Sequence, residues 1–202
     1  MSLRQHLSEK KQLIIERWIA AVHGTYPFGT IGFLRTQQNP FVNPVGERTR
    51  LAAEAVVEVL LAGKSLSEEE QGELTAVLDE FMRVRAIQDF SAEAAVGVFF
   101  ALKQIVREAL EDCPGWPGAA NKSASKAAGN AGAGEATVGK DFVGGLLAIE
   151  SDVDALAMLA FGSYARHRDT LADLRVKEFK RRHSQIIRRA ERTLGEDLSD
   201  YK

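Results

Sequence analysis

The stretch from Asp141 to Leu194, DFVGGLLAIESDVDALAMLAFGSYARHRDTLADLRVKEFKRRHSQIIRRAERTL, carries an almost uninterrupted helical pattern. One face repeats every three or four residues: Val153, Leu156, Ala160, Tyr164, His167, Leu171 and Leu174. After Leu174 the pattern moves to another face with near-heptad spacing, which we call the apolar seam: Val176, Phe179, His183, Ile186 and Ala190. We therefore predict a long carboxy-terminal helix whose end, residues 175–194, protrudes from the domain as a signalling helix.

Helix starts and stops punctuate the chain before this stretch. Ser2 is predicted to cap a first helix that runs to Gly24. Further helices are predicted to start at Asn43 with Pro44, at Ser67 with Glu70, and at Ser91. The helix that starts at Asn43 is predicted to end at Gly63. Because no segment alternates apolar and polar residues with period two, the chain lacks material for a sheet and is predicted to be all-α.

Two segments interrupt the helical pattern. The connector from Tyr26 to Asn43 holds several glycines and prolines, but its Phe28, Ile31, Phe33, Leu34 and Phe41 are too apolar for a solvated loop, so we predict a packed connector with one short helix. Residues 115–140 are rich in Ala, Gly, Ser, Asn and Lys without an apolar period and are predicted to form a flexible linker. We expect residues 1–202 to form one domain interrupted by this linker.

Composition places the protein in the cytoplasm. A single cysteine, Cys113, fits a reducing compartment, no apolar signal region follows the charged amino terminus, and no apolar run is long enough to span a membrane. The formal net charge is -2, yet residues 164–193 hold ten Lys/Arg against four Asp/Glu, which leaves -8 elsewhere. This asymmetry points to a partner for the carboxy-terminal helix.

No catalytic, cofactor or metal site emerges from the sequence. The histidines His6, His23, His167 and His183 are scattered, and a phosphate-binding loop is missing. Acidic neighbours such as Asp112 disfavour a Cys113 thiolate. Glu150 and Asp154 lie one turn apart, and we interpret them as the solvated side of their helix. The protein is therefore predicted not to be an enzyme.

The arginines of the carboxy-terminal helix form the clearest candidate surface. Arg168, Arg175, Arg182 and Arg189, spaced by seven residues, form what we call the Arg stripe, which lies beside Val176, Phe179 and Ile186. A solvated helix face and a docking surface for an acidic protein both explain it. Because aromatic interleaving is missing and the remaining chain is acidic, the pattern disfavours nucleic acid as a partner. Without a long apolar run, a membrane is not an expected partner either.

Several segments resemble a known family. They are Tyr26-Pro27, Asn39–Gly46 (NPFVNPVG), Arg83–Ser91 (RVRAIQDFS), and Leu156–Arg182 with its Ala160-Phe161 and Arg175–Glu178 (RVKE). The chain is similar to the RsbRD amino-terminal domain of bacterial RsbT co-antagonists, the sensor components of stressosomes. The resemblance implies a globin-like helical fold without haem, which dimerises and senses a signal. It assigns no binding residues.

In relatives the last helix leads into a STAS output domain. Because this sequence stops at Lys202 within that helix, we expect no STAS domain and a stand-alone sensor or regulatory domain. We expect it to dimerise and to signal through its last helix to an unidentified protein. The alternatives are a haem- or small-molecule-binding globin and a nucleic-acid- or anion-binding module that uses the Arg-rich helix.

Overall fold

The computed structural model describes residues 3–37, 39–63, 66–113, 116 and 133–194. Within these residues the chain forms seven helices and no strand, which confirms the all-α prediction. The helices are α1 (Leu3–Glu9), α2 (Lys11–His23), α3 (Phe28–Thr36), α4 (Pro44–Ala62), α5 (Glu68–Ile87), α6 (Ala92–Ala109) and α7 (Ala133–Leu194). None of the helices in the described part of the chain combines the length and apolarity needed to cross a bilayer.

The predicted helix caps are confirmed. Asn43, Ser67 and Ser91 each accept a hydrogen bond from the backbone N–H three residues later, at 2.8, 3.2 and 3.1 Å. Glu70 completes the capping box by accepting from the backbone N–H of Ser67 at 2.8 Å. Gly63 ends α4 with a φ of 58°, the left-handed conformation that glycine adopts without a steric cost. The cap predicted at Ser2 lies outside the described residues.

The core is centred on an aromatic cluster between α2, α5 and α6. Trp18 is completely buried, and its ring lies 5.3 Å from that of Phe99 and 6.2 Å from that of Phe81. Its indole N–H donates to the carbonyl of Val98 at 2.6 Å, so the polar edge of the ring is satisfied inside the core. Helix α4 packs against α2 and α5, and α7 packs against α5 and α6.

The single first helix that the sequence predicts is in fact two helices that meet at Lys10. Lys10 has φ -106° and ψ 12°, outside the helical range. The break directs its ammonium group to the end of α6, where Nζ donates to the carbonyl of Ala109 at 2.7 Å and pairs with Asp112. A cation at a helix carboxy terminus is favoured by the helix dipole. The break is thus accompanied by a tertiary contact, and the periodicity of the sequence could not show it.

The connector contains the one predicted short helix, α3, but it is only partly packed. Leu34 is buried and Ile31 is partly buried, but Phe28 and Phe41 are almost fully exposed and Phe33 is 46% exposed, so the prediction of a packed connector is wrong for these three phenylalanines. Buried Asn43 holds the segment in place, because its Nδ2 donates to the carbonyls of Leu34 and Gln37 at 3.1 and 2.9 Å. One amide therefore joins the end of α3 to the start of α4.

Helix α7 begins earlier than the sequence indicates. The structure places Ala133–Lys140, the last part of the predicted linker, in this helix, and the prediction for 117–132 lies outside the described residues. The buried face runs from Phe142 to Tyr164, Leu171 is half-buried, and Leu174 is exposed. Residues 175–194 of this helix span about 30 Å at 1.5 Å per residue. The predicted protruding end is confirmed, with Ile187 as a buried exception.

Candidate functional site at the root and end of α7

The α5–α6 corner, residues 88–90, is an unusual turn. Asp89 has a φ of 62°, the only positive φ of a non-glycine residue in the described part of the chain. This conformation costs an ordinary L-residue roughly 1–2 kcal/mol. Asp is one of the few residues that tolerate it. The backbone N–H of Phe90 donates to the carbonyl of Arg85 at 3.2 Å, which closes the turn before Ser91 caps α6.

Arg85 lies beneath this corner and is 0% exposed. Its guanidinium carbon lies 4.2 Å from the ring centroid of Phe90, and Nη2 donates to the Ala94 carbonyl at 2.7 Å and to the Thr25 hydroxyl at 3.1 Å. Nε and Nη1 are buried without a hydrogen-bond partner. Burial lowers the pKa of Arg85 from its ordinary value. The cation is thus held by aromatic faces and neutral oxygens, without a carboxylate among the described residues.

The carboxylate of Asp89, four residues after Arg85, binds α7 and not Arg85. A pair between Arg85 and Asp89 is expected from their spacing of four residues, but this expectation is wrong, because Arg85 points into the core and Asp89 lies in the turn beyond the helix. Asp89 accepts from Arg168 and lies 3.9 Å from Arg175. The hydrogen bond from Arg168 lowers the pKa of the Asp89 carboxyl. Two residues of the Arg stripe therefore anchor α7 to the corner.

Two tyrosines complete the junction. The hydroxyl of Tyr164, on α7, donates to the carbonyl of Phe90, and the hydroxyl of Tyr26, after α2, donates to the side chain of Gln88 at 2.8 Å. The Tyr26 and Phe90 rings meet edge to face at 5.0 Å. The corner thus brings together α5, α6, α7 and Tyr26, which follows α2.

A second junction lies at the same level of α7 and is formed by the residues next in sequence to Tyr164 and Arg168. Asp79 of α5 accepts from the Ser163 hydroxyl, lies 3.0 Å from His167 Nε2, and receives a long contact of 3.5 Å from Arg166. Burial alone would raise the pKa of the Asp79 carboxyl, but the hydrogen bond from Ser163 and the contact with His167 hold it below its ordinary value. His167, which the helical pattern predicts on the apolar face of α7, thus makes a polar contact with Asp79.

Beyond these junctions α7 exposes the apolar seam. Val176, Phe179 and Ile186 are each more than half exposed, with Phe179 at 69%. The ring of His183 stacks on that of Phe179 at 5.9 Å and 19°. Aromatic and aliphatic side chains in a row on a helix surface leave apolar area that a partner helix can bury.

The structure separates the predicted Arg stripe into two parts. Arg168 and Arg175 pair with Asp89, as described above, whereas Arg182 donates to Glu178 of its own helix at 2.8 Å. Arg189 is exposed. A role of Arg168, Arg175, Val176, Phe179, Arg182, Ile186 and Arg189 in partner binding stays a prediction.

Other predicted candidates have structural roles. Glu150 pairs with Arg107 and Asp154 with Lys103, both at 2.6 Å, so these carboxylates bind α7 to α6 and the interpretation as a purely solvated face is wrong. Burial and the charge of Asp112 raise the pKa of the Cys113 thiol, as the acidic neighbours indicate. Within the described residues, no group of three His, Cys, Asp or Glu could hold a metal ion.

The role of Arg85 was not predicted, although the sequence carries a signal for it. Arg85 follows Leu78, Phe81 and Met82 at helical spacing, so it occupies a position of the buried stripe of α5. A charged residue at such a position is unusual enough to mark it for attention. Asp89 and its partner Arg168 are far apart in sequence, and no local pattern connects them.

Comparison with known proteins gives a family match that covers most of the chain. The family model described as RsbT co-antagonist protein rsbRD N-terminal domain matches residues 12–179, which include the corner and α7 as far as Phe179. No curated protein and no solved structure matches the chain. The globin-like arrangement of the helices therefore stays a prediction. Because the match covers most of the sequence, the chain belongs to the RsbT co-antagonist rsbRD N-terminal domain family.

Proposed function

We propose that this protein is a regulatory sensor domain of the bacterial cytoplasm that forms a homodimer and passes a signal to a protein partner through the end of α7. The family supplies the regulatory, stressosome-associated role. The observation that carries the relay is the continuity of α7, one helix from Ala133 to Leu194 that is packed in the core at one end and exposed at the other.

The corner supports a mechanical link between core and helix end. Arg168 and Arg175 hold α7 to Asp89, and Tyr164 holds it to the Phe90 carbonyl. An event that moves the end of α5 therefore changes the position or rotation of α7 at its root. Because a helix is rigid along its length, a small rotation at the root reaches the apolar seam.

The apolar seam supplies the dimer contact, because Val176, Phe179 and Ile186 are more than half exposed and those of one copy can bury those of the other. Arg175, Arg182 and Arg189 flank this seam, where charges set the choice of partner and the orientation of the pair. The same surface then accepts an acidic helix of a partner when the homodimer opens.

A second exposed apolar set on the body of α7 competes with the seam as an interface. It consists of Val143, Leu147, Met158 and Phe161. The test therefore compares a charge placed in each surface: Phe179→Glu with Ile186→Glu in the seam, Met158→Glu on the body, and Leu13→Glu, a half-exposed position on α2, as the control. Association is measured by analytical ultracentrifugation and folding by circular dichroism.

The seam variant is expected to weaken dimerisation at least about tenfold, which corresponds to 1.4 kcal/mol, while the other two variants associate like the wild type. A chain ending at Leu174 should likewise fold and remain monomeric. Loss of association in the Met158 variant alone would move the interface to the body of α7, and unchanged association in every variant would contradict the proposal.

A further inference from the structure

We propose that the cleft between α2, α3 and the start of α4 binds a small organic carboxylate, with the guanidinium of Arg35 and the imidazole of His23 on the carboxylate and an apolar wall against the rest of the ligand. The cleft lies apart from the α7 surface, and its test measures binding alone. Failure of this proposal is therefore distinguishable from failure of the proposed relay.

The cleft has the size and lining of a small-molecule site. Its volume is about 630 Å³, within the usual range for ligand pockets. Ile19, Ala20 and Leu34 supply the apolar wall. Asn43 forms part of the lining and is held by hydrogen bonds to α3 and α4, so the wall is fixed before any ligand arrives.

Close packing at the start of α4 fixes the position of the Asn43 side chain. A Cβ at Gly46 would lie 2.3 Å from the Nδ2 of Asn43, too close for the present arrangement. Glycine at this position therefore allows the Asn43 amide to cap the start of α4 while it donates to the carbonyl of Leu34 in α3. The segment from Asn43 to Gly46, which borders the cleft, is therefore closely packed.

His23 is the polar group that the fold does not use. It lines the cleft, is only 4% exposed, and its Nε2 is buried without a hydrogen-bond partner. Burial and then the positive charge of Arg35 lower the pKa of His23, so the imidazole is neutral at neutral pH. A buried polar atom without a partner is costly, and a ligand atom at Nε2 would remove that cost.

Arg35 is the cation of the cleft with an unused charge. The other arginine of the lining, Arg50, is held by Glu47 and Glu54 at 2.8 and 2.6 Å. The carboxylate of Glu16 accepts from Gln12 at 3.0 Å. Within the described residues Arg35 makes no ion pair with a carboxylate, although it lies at the exposed mouth of the cleft, close enough to His23 to affect its pKa.

These groups select a singly charged ligand with an apolar body. A guanidinium binds a carboxylate through two parallel hydrogen bonds, and a neutral imidazole with its proton on Nε2 donates one more. Glu47 and Glu54 already pair with Arg50, which leaves the one guanidinium of Arg35 for a ligand, so the cleft suits one negative charge better than the two of a phosphate. The apolar wall favours an alkyl or aromatic carboxylate over a small inorganic anion.

The proposal is tested by calorimetric titration of the full chain with octanoate, benzoate, octanol and inorganic phosphate. At least one of the two carboxylates should bind with a dissociation constant below about 1 mM, while octanol and phosphate bind at least about tenfold more weakly. In NMR spectra the imidazole signals of His23 should shift with the bound carboxylate. Absence of carboxylate binding, or equal binding of octanol or phosphate, would overturn it.

Variants separate a binding role from a structural one. Arg35→Gln should weaken carboxylate binding at least about tenfold, whereas Arg83→Gln, an exposed arginine of α5 paired with Glu80, should leave it unchanged. His23→Leu should abolish binding and leave the melting temperature equal or higher, since it removes an unpaired buried atom. Equal binding by the Arg35 and Arg83 variants would refute the proposal even if the His23 variant fails to fold.

Discussion

The body and the end of α7 use their charged residues differently. On the body, Asp152 pairs with Arg4 at 2.8 Å, and Glu150 and Asp154 pair with α6, so the carboxylates bind other helices. At the end, Glu178 pairs with Arg181 and Arg182 of the same helix. One helix therefore serves two purposes. The body is part of the core, whereas ion pairs within the end stabilise that part of the helix and leave an apolar surface exposed.

The largest expected effect comes from a charge placed in the buried face of the body. Val153 is completely buried, so Val153→Asp should destabilise the protein by at least about 4 kcal/mol or prevent folding. Ile186→Asp, at the exposed end, should change the free energy of unfolding by no more than about 0.5 kcal/mol. Urea denaturation at a protein concentration that keeps the chain monomeric measures both, and equal destabilisation would contradict the division of α7.

An intermediate effect is expected at the corner that joins the two parts. Arg85→Ala leaves a cavity among the aromatic rings and should cost about 3 kcal/mol. Arg85→Met fills the space without a buried charge and should stay within about 1 kcal/mol of the wild type. Thermal and urea unfolding compare the two. If the methionine variant is as unstable as the alanine variant, the positive charge itself holds the corner together.

The smallest effect is expected from substitution of Asp79 or Glu178, two carboxylates whose pKa values are both lowered. Asp79→Asn breaks contacts between α5 and α7 and should cost about 1 kcal/mol at pH 7, a value discounted because the carboxyl is partly exposed. Glu178→Gln breaks only contacts within the end of α7, so the melting temperature should not change.

Acid titration sharpens this last comparison. The folded pKa of Asp79 lies below its ordinary value of 3.8, so its stabilising contribution is complete above that value and is lost as the pH falls through the folded pKa. The loss of stability on acidification should therefore be smaller in Asp79→Asn than in the wild type. Identical acid profiles of the two proteins would show that the contacts of Asp79 do not stabilise the fold.

The local features of this protein were determined by the sequence itself. The caps at Asn43, Ser67 and Ser91 and the left-handed Gly63 were predicted correctly because each depends on residues within one helical turn. The change of apolar face after Leu174 likewise predicted the protruding end of α7, since periodicity alone reports which residues share a helix face.

The candidate sites were decided by the tertiary structure. Arg85 and Asp89 have the spacing of an ion pair, yet the core takes the first side chain and α7 takes the second. His23 ends α2 and Arg35 lies within the Tyr26–Asn43 connector, and the two share a cleft because Asn43 fixes α3 against α4. A charged or polar side chain chooses its partner by proximity and burial in three dimensions, and these quantities come into existence only when the helices pack.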